Sequence, residues 1–208
     1  MNFAAKPSKT TRQLILGSTS RYRSELLARL GIPFQVAAPD VDETPLPQET
    51  PRVLAERLAL AKAKAVAAQF PQAVVIGSDQ VADLNGQSLG KPGTHERAVA
   101  QLRQMRGLTV IFQTAVAVVC KESDFEQISL ATVKVTFRDL TNDEIENYLQ
   151  LEKPYDCAGS AKSEGLGIAL LASIDSDDPT ALIGLPLIKT CEMLRAAGIE
   201  LLSRKATL

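Results

Sequence analysis

The chain is poor in residues that mark several common chemistries. Its one histidine, His95, falls at an expected helix start, so neither a Ser/His couple nor a histidine-based metal site is expected. The three cysteines, Cys120, Cys157 and Cys191, are odd in number and widely spaced. That pattern offers no zinc or redox spacing and reads as free thiols in a reducing cytoplasm. No run of about 18 apolar residues occurs, so no transmembrane helix is expected. The segment Met1 to Thr10 is polar and lacks the apolar centre of a signal peptide. Basic excess is missing too: the formal net charge is −1 and the pI is near 5.9. Neither duplex nucleic acid nor a membrane is therefore an expected partner. Chemistry is left to Asp, Glu, Lys, Arg and Ser.

What is present alternates between strand and helix signals. Leu14–Gly17 reads as a short buried strand, Arg21–Leu30 as a helix closed by Gly31, and Phe34–Ala37 as a second strand. An acidic, proline-rich loop spans Pro39 to Thr50. Thr50-Pro51 then opens a helix, with Leu54, Leu58, Ala61, Ala65 and Ala68 as its apolar stripe. Ala73–Ser78 and Val81–Leu84 read as two strands, the second ending in the hairpin signal Asn85-Gly86. A helix follows from Thr94 to Met105. Leu108–Cys120 and Gln127–Arg138, rich in β-branched residues, pair around the polar segment Lys121–Glu126. Thr141-Asn-Asp-Glu144 is a capping box opening a helix to Leu151. Gly167–Ile174 reads as a late strand and Pro186–Ala197 as the closing helix. The mixture predicts an α/β fold around a mixed, strongly twisted sheet flanked by helices. Residues 1–11 read as a flexible lead-in and 12–208 as one domain, with a smaller lobe near Leu140–Ile183.

Several segments bear chemistry. Asp79 ends the buried run Ala73–Ser78, and Gly90-Lys91-Pro92 follows a dozen residues later. A carboxylate at a strand end and a nearby cation suit polyphosphate chemistry, which needs a group for metal or water and positive charge for the leaving oxygens. Gly17-Ser-Thr-Ser-Arg-Tyr-Arg23 runs from a strand into a hydroxyl-rich helix start. Free amides there, with Ser18, Ser20 and Arg21 or Arg23, suit an anion. No P-loop pattern is present. Asp40-Val-Asp-Glu43 offers carboxylates to a hard divalent cation or forms a solvated acidic loop. Lys62 and Lys64 fall on opposite flanks of their helix stripe, and periodicity does not decide which meets a cleft. Cys157–Gly165 is small and polar, with an isolated Glu164, and Ile183-Gly-Leu-Pro186 reads as a structural joint.

Taken in order, LGSTSRYR, VDET, AKAKA, IGSDQV, LGKP, CAGSAKSEG and IGLP resemble the Maf family of nucleoside-triphosphate pyrophosphatases, over nearly the whole chain after Thr11. The similarity is greatest to the branch acting on 7-methyl-GTP, through Asp79-Gln80 and Lys162-Ser-Glu164. The resemblance implies a fold shared with inosine-triphosphate pyrophosphatases, a cleft between two lobes and a divalent metal cofactor, Mg or Mn. It implies cleavage between the α and β phosphates. Asp79 matches the proton acceptor, Lys62 and Lys91 the polyphosphate lysines, and Arg23 an arginine of the first motif, where Ser18 and Ser20 also lie. Asp42, with Asp79, matches the metal position. Tyr22, Gln80 and Glu164 match positions linked to base selection. Two departures stand out: Arg21 replaces a usual proline, and Ser24 stands where a second arginine is usual. Tyr22 also replaces a frequent tryptophan but keeps a stacking face.

The expected partner is a nucleoside triphosphate. A homodimer is compatible with the sequence, although no patch demands it. Two rival readings are a dTTP/UTP pyrophosphatase of the same family and a non-catalytic nucleotide-binding regulator of septum formation.

Overall fold

The computed structural model describes residues 12–202; the lead-in 1–11 and residues 203–208 lie outside it. One seven-stranded sheet runs in the order β2-β1-β3-β5-β6-β7, with β4 paired to β3. Its strands are β1 (Leu14–Gly17), β2 (Gln35–Ala37), β3 (Val74–Leu84), β4 (Gln87–Leu89), β5 (Thr109–Cys120), β6 (Phe125–Phe137) and β7 (Leu171–Asp175). The helices are α1 (Arg21–Ala28), α2 (Pro51–Gln69), α3 (His95–Met105), α4 (Asn142–Glu152) and α5 (Leu187–Ala196). β2, β1 and β3 are parallel, and every other pairing is antiparallel. The expected mixed sheet is therefore present.

Strand pleating divides the core. Ile15, Val75, Ala115 and Ala117 face α2, while Leu14, Leu16, Ile76 and Val118 face α1 and α5. Farther along β5 and β6, Phe112, Val133 and Phe137 pack with Leu102 and Met105 of α3 and Leu149 of α4. The helix starts follow from side-chain caps. Thr50 accepts from the Val53 amide, Thr94 from Arg97, and Thr141 forms the expected capping box with Glu144.

The structure corrects several boundaries. The two strands expected around Asp79 are one strand, because β5 pairs opposite every residue from Val75 to Asp83. Backbone hydrogen bonding along one edge carries the strand through the polar pair Asp79-Gln80. The late strand begins only at Leu171, after a 3-10 turn at Leu166–Leu170. The polar connection between β5 and β6 is shorter than expected, because β6 starts at Phe125. On α2 the buried residues are Pro51, Leu54, Ala55, Leu58, Ala59, Lys62, Ala63, Val66 and Ala67. The stripe is thus rotated from the one expected, and Lys62 lies within it rather than on its flank. Small residues allow this: α2 presses so closely on β3 that a Cβ at Gly77 would collide with the Ala59 carbonyl.

Candidate active site

β1 and β3 stop pairing at the register partners Gly17 and Gly77. β4 takes up the same edge of β3 only at Ala82. Residues 78–81 therefore have a strand neighbour on one side only, and a cleft of about 740 Å³ opens at this gap. It is of the size that takes small-molecule ligands. Because Gly17 and Gly77 are neighbours, the turn after β1 delivers Ser18 through Arg23 to the same gap as Asp79. Asp79 is not at the end of its own strand; it stands where the parallel part of the sheet ends.

Alternate residues of β3 point to opposite faces. Asp79 shares the α2 face with Gly77 and is 7% exposed. Its Oδ1 accepts from Lys62 Nζ at 2.7 Å, and Glu43 Oε1 lies 2.7 Å from the same nitrogen. A buried ammonium is tolerable because both carboxylates pair with it. Partial desolvation by the cleft wall pushes the Glu43 carboxyl up, but Lys62, Lys91 and Arg23 together outweigh that and hold its pKa below the usual value. The ambiguity between the two lysines is resolved, since Lys64 pairs with Glu126 at 2.8 Å on the surface. Lys91 is exposed on the cleft wall, with no hydrogen bond or ion pair among the described residues.

Ser78 and Gln80 use the other face to hold the turn 181–184. The Ser78 hydroxyl lies 2.8 Å from the Ala115 carbonyl and 3.1 Å from that of Gly184. Gln80 Nε2 is 2.9 Å from the Ala181 carbonyl and 3.0 Å from that of Leu182. Gly184 has φ +127°, a conformation that favours glycine, and its carbonyl also accepts from Arg23 Nε at 2.9 Å. The joint that read as structural thus aims a cleft arginine. Arg23 Nη1 reaches Ser18 Oγ at 3.4 Å. Burial pushes the guanidinium pKa down, against the pull of Asp79 and Glu43. Ser20 caps α1 by accepting from the Arg23 amide, and Ser18 is buried beneath it, accepting from the Ser20 amide.

Tyr22 marks another part of the cleft. The Arg21 guanidinium lies 4.7 Å from its ring centroid and donates to its hydroxyl at 2.9 Å. Lys162 Nζ is 5.9 Å from the centroid and pairs with Glu152 at 2.6 Å. The phenol is within 3.5 Å of Asp156 Oδ2 and 3.8 Å of the Cys157 thiol. Burial pushes that thiol up to about 11. Glu164 is exposed on the cleft wall, with no hydrogen bond or ion pair among the described residues. Arg21 is engaged with Tyr22.

Asp42 does not join this group. Its carboxylate accepts from the Thr44 amide at 2.9 Å in an exposed turn, and the cleft lining includes Glu43 instead. The correction has a local cause: a short Asp side chain two residues before an amide closes an Asx turn, leaving its longer neighbour free to reach inward. That spacing was visible in Asp42-Glu-Thr44. Asp156 and the Gly184 carbonyl carried no sequence signal, because each reaches the cleft only through a distant segment. No cluster of three or more His, Cys, Asp or Glu side chains suited to a metal exists among the described residues. Two converging carboxylates still fit a magnesium-like ion, which is commonly held by one or two carboxylates plus substrate phosphates.

Two carboxylates sharing Lys62, the further cations Arg23 and Lys91, and a hydroxyl-rich helix start line an open strand edge of this α/β fold, a set of groups suited to phosphoanhydride chemistry. The model of the Maf-like protein family matches residues 13–197, and the chain belongs to that family. A 7-methyl-GTP pyrophosphatase of Polaromonas sp. is 79% identical, over 92% of this chain and 88% of its own. One from Albidiferax ferrireducens is 73% identical over 92% and 96%, and one from Aromatoleum aromaticum 58% over 91% and 97%. A solved HAM1 protein from Coxiella burnetii overlaps 62% of this chain and 74% of its own, with TM-score 0.42 and 14% identity. No helix among the described residues is long and apolar enough to cross a membrane.

Proposed function

We propose that this cleft hydrolyses 7-methyl-GTP to 7-methyl-GMP and pyrophosphate. The observation that carries the reading is the Asp79–Lys62–Glu43 cluster, two 2.7 Å contacts on one buried ammonium beside Arg23 and Lys91. The names of the relatives support the substrate.

Hydrogen-bond capacity points to where the triphosphate sits. An ammonium has three N–H donors. Asp79 and Glu43 take two on Lys62, leaving one for a phosphate oxygen. Arg23 spends donors on the Gly184 carbonyl and Ser18, and the rest of its guanidinium is left for phosphate. In the reaction a water oxygen bonds to the α-phosphorus. The bond from that phosphorus to the bridging oxygen breaks, and pyrophosphate leaves. Asp79 accepts the proton from water, while Lys62, Lys91 and Arg23 stabilise charge on the phosphoryl and leaving oxygens. Asp79 and Glu43 are the carboxylates that would hold a divalent ion with the phosphates. Such an ion supplies Lewis-acid polarisation and a lower pKa for water.

The methylated guanine ring is cationic, and the Tyr22 face offers it about 0.5–2 kcal/mol of cation–π attraction. Glu164 supplies a carboxylate for the guanine pairing edge, in charge-assisted bonds. Gln80 acts in base selection through Oε1, because its amide nitrogen braces the turn 181–184. The free thiols of Cys120, Cys157 and Cys191 suit a cytoplasmic enzyme.

The test is pyrophosphate release from 7-methyl-GTP, GTP, dTTP, UTP and CTP, with and without Mg or Mn. The expected result is metal-dependent release with 7-methyl-GTP preferred. Preference for dTTP or UTP overturns the substrate, and no release from any nucleotide overturns the activity.

A further inference from the structure

Glu43 poses a positioning problem. Its side chain is 60% exposed, yet it meets Lys62 at 2.7 Å from a loop that makes no strand or helix between β2 and α2. A single ion pair to so exposed a carboxylate is weak, even with Lys62 itself buried, and does not order a loop by itself. Something else must hold the backbone on either side of Glu43.

Arg57 of α2 is placed to do so. Its Nε and Nη2 donate to the two oxygens of Glu49 at 2.6 and 2.8 Å. Nη2 also donates to the Thr44 carbonyl at 3.1 Å. The clamped Glu49 accepts from the Leu46 amide at 2.9 Å, and Asp42 closes the preceding turn on the Thr44 amide. Planar two-point pairing fixes orientation as well as distance. Arg57 and Lys62 ride on the same rigid helix, so a loop tied to the first is held in register with the second. Glu49 is nearly enclosed, with a side chain only 3% exposed.

We propose that Arg57 is a positioning residue: by clamping Glu49 and the Thr44 carbonyl, it sets Glu43 against Lys62 in the cleft. The kinetic consequence rests on the hydrolytic reading above; the structural consequence does not.

The experiment compares the full-length protein with Arg57→Ala, Arg57→Lys, Glu49→Gln, Glu43→Gln and the double variant Glu43→Gln/Arg57→Ala. Amide exchange should accelerate across residues 42–49 in Arg57→Ala while β3 and β5 keep their protection. kcat/KM for 7-methyl-GTP should fall by about 10- to 100-fold, the range over which misplacing a catalytic group is felt. The double variant should be no worse than Glu43→Gln alone, because both changes remove the same interaction. Arg57→Lys should restore part of the loss. If Arg57→Ala loses protection throughout, Glu49→Gln decides in its place and should loosen the same loop. Unchanged exchange across the loop overturns the clamp. Additive losses in the double variant, or unchanged kinetics in an active enzyme, overturn its link to Glu43. A wild-type protein inactive on every nucleotide defeats the hydrolytic reading, and loop exchange then judges the clamp alone.

Discussion

Lys62 reaches Asp79 from the buried face of α2, its Nζ 2.7 Å from Oδ1, because the helix lies almost on the backbone of β3. The contact depends on what Gly77 lacks. A side chain there would collide with the Ala59 carbonyl and lie 2.5 Å from the Ala63 amide nitrogen.

Gly77→Ala should therefore destabilise the protein by at least about 1–3 kcal/mol, the usual range for overpacking. Surviving protein should lose activity, since α2 must withdraw and carry Lys62 with it. Chemical denaturation and a pyrophosphate assay measure the two effects. A variant of unchanged stability would show that the helix stands farther off.

Asp79→Asn keeps the shape of the side chain and removes its charge. Turnover should fall by roughly 10²–10⁴-fold, as for loss of a general base. Circular dichroism should show the fold retained. Substantial residual activity would remove Asp79 from the proton-accepting role.

Glu164→Gln should cost more with 7-methyl-GTP than with GTP, by about 10-fold in kcat/KM, or about 1.4 kcal/mol. The amide retains size but forfeits the attraction for a cationic ring. Parallel kinetics on the two nucleotides read the difference directly. Equal losses would mean that Glu164 does not sense the positive charge of the methylated ring.

The Arg57–Glu49 clamp should be acid-labile. Two-point bonding to Arg57, helped by the Leu46 amide, holds the Glu49 carboxyl down to about 2, against an ordinary 4.5. A depressed folded-state pKa contributes stability that is fully present above about 4.5 and lost as pH falls through about 2. A carboxyl NMR titration should place Glu49 near the lower value. In Arg57→Ala it should move back toward the upper one.

Much of the architecture is legible along the chain because its causes are local. Thr50-Pro51 and the Thr141–Glu144 box open α2 and α4 where their side chains satisfy free amides. Asn85-Gly86, with φ of 54° and 83°, turns β3 into β4. Other features escaped local reading. In the sequence, polar Asp79-Gln80 reads as a strand end, but pairing with β5 carries the strand past it. Lys62 reads as a flank residue, but a helix rich in alanine rotates to seat its smallest side chains against Gly77.

The sequence by itself determined the kinds of chemical group available, the helix and turn signals that space them, and a motif order specific enough to imply the family. Tertiary structure alone decided which groups meet. It chose Lys62 over Lys64 and Glu43 over Asp42, and it joined Arg23 to a carbonyl 161 residues away. The reason is physical: periodicity and capping act within a few residues, whereas a shared charge site forms only when sheet register and helix packing bring distant segments within hydrogen-bonding distance.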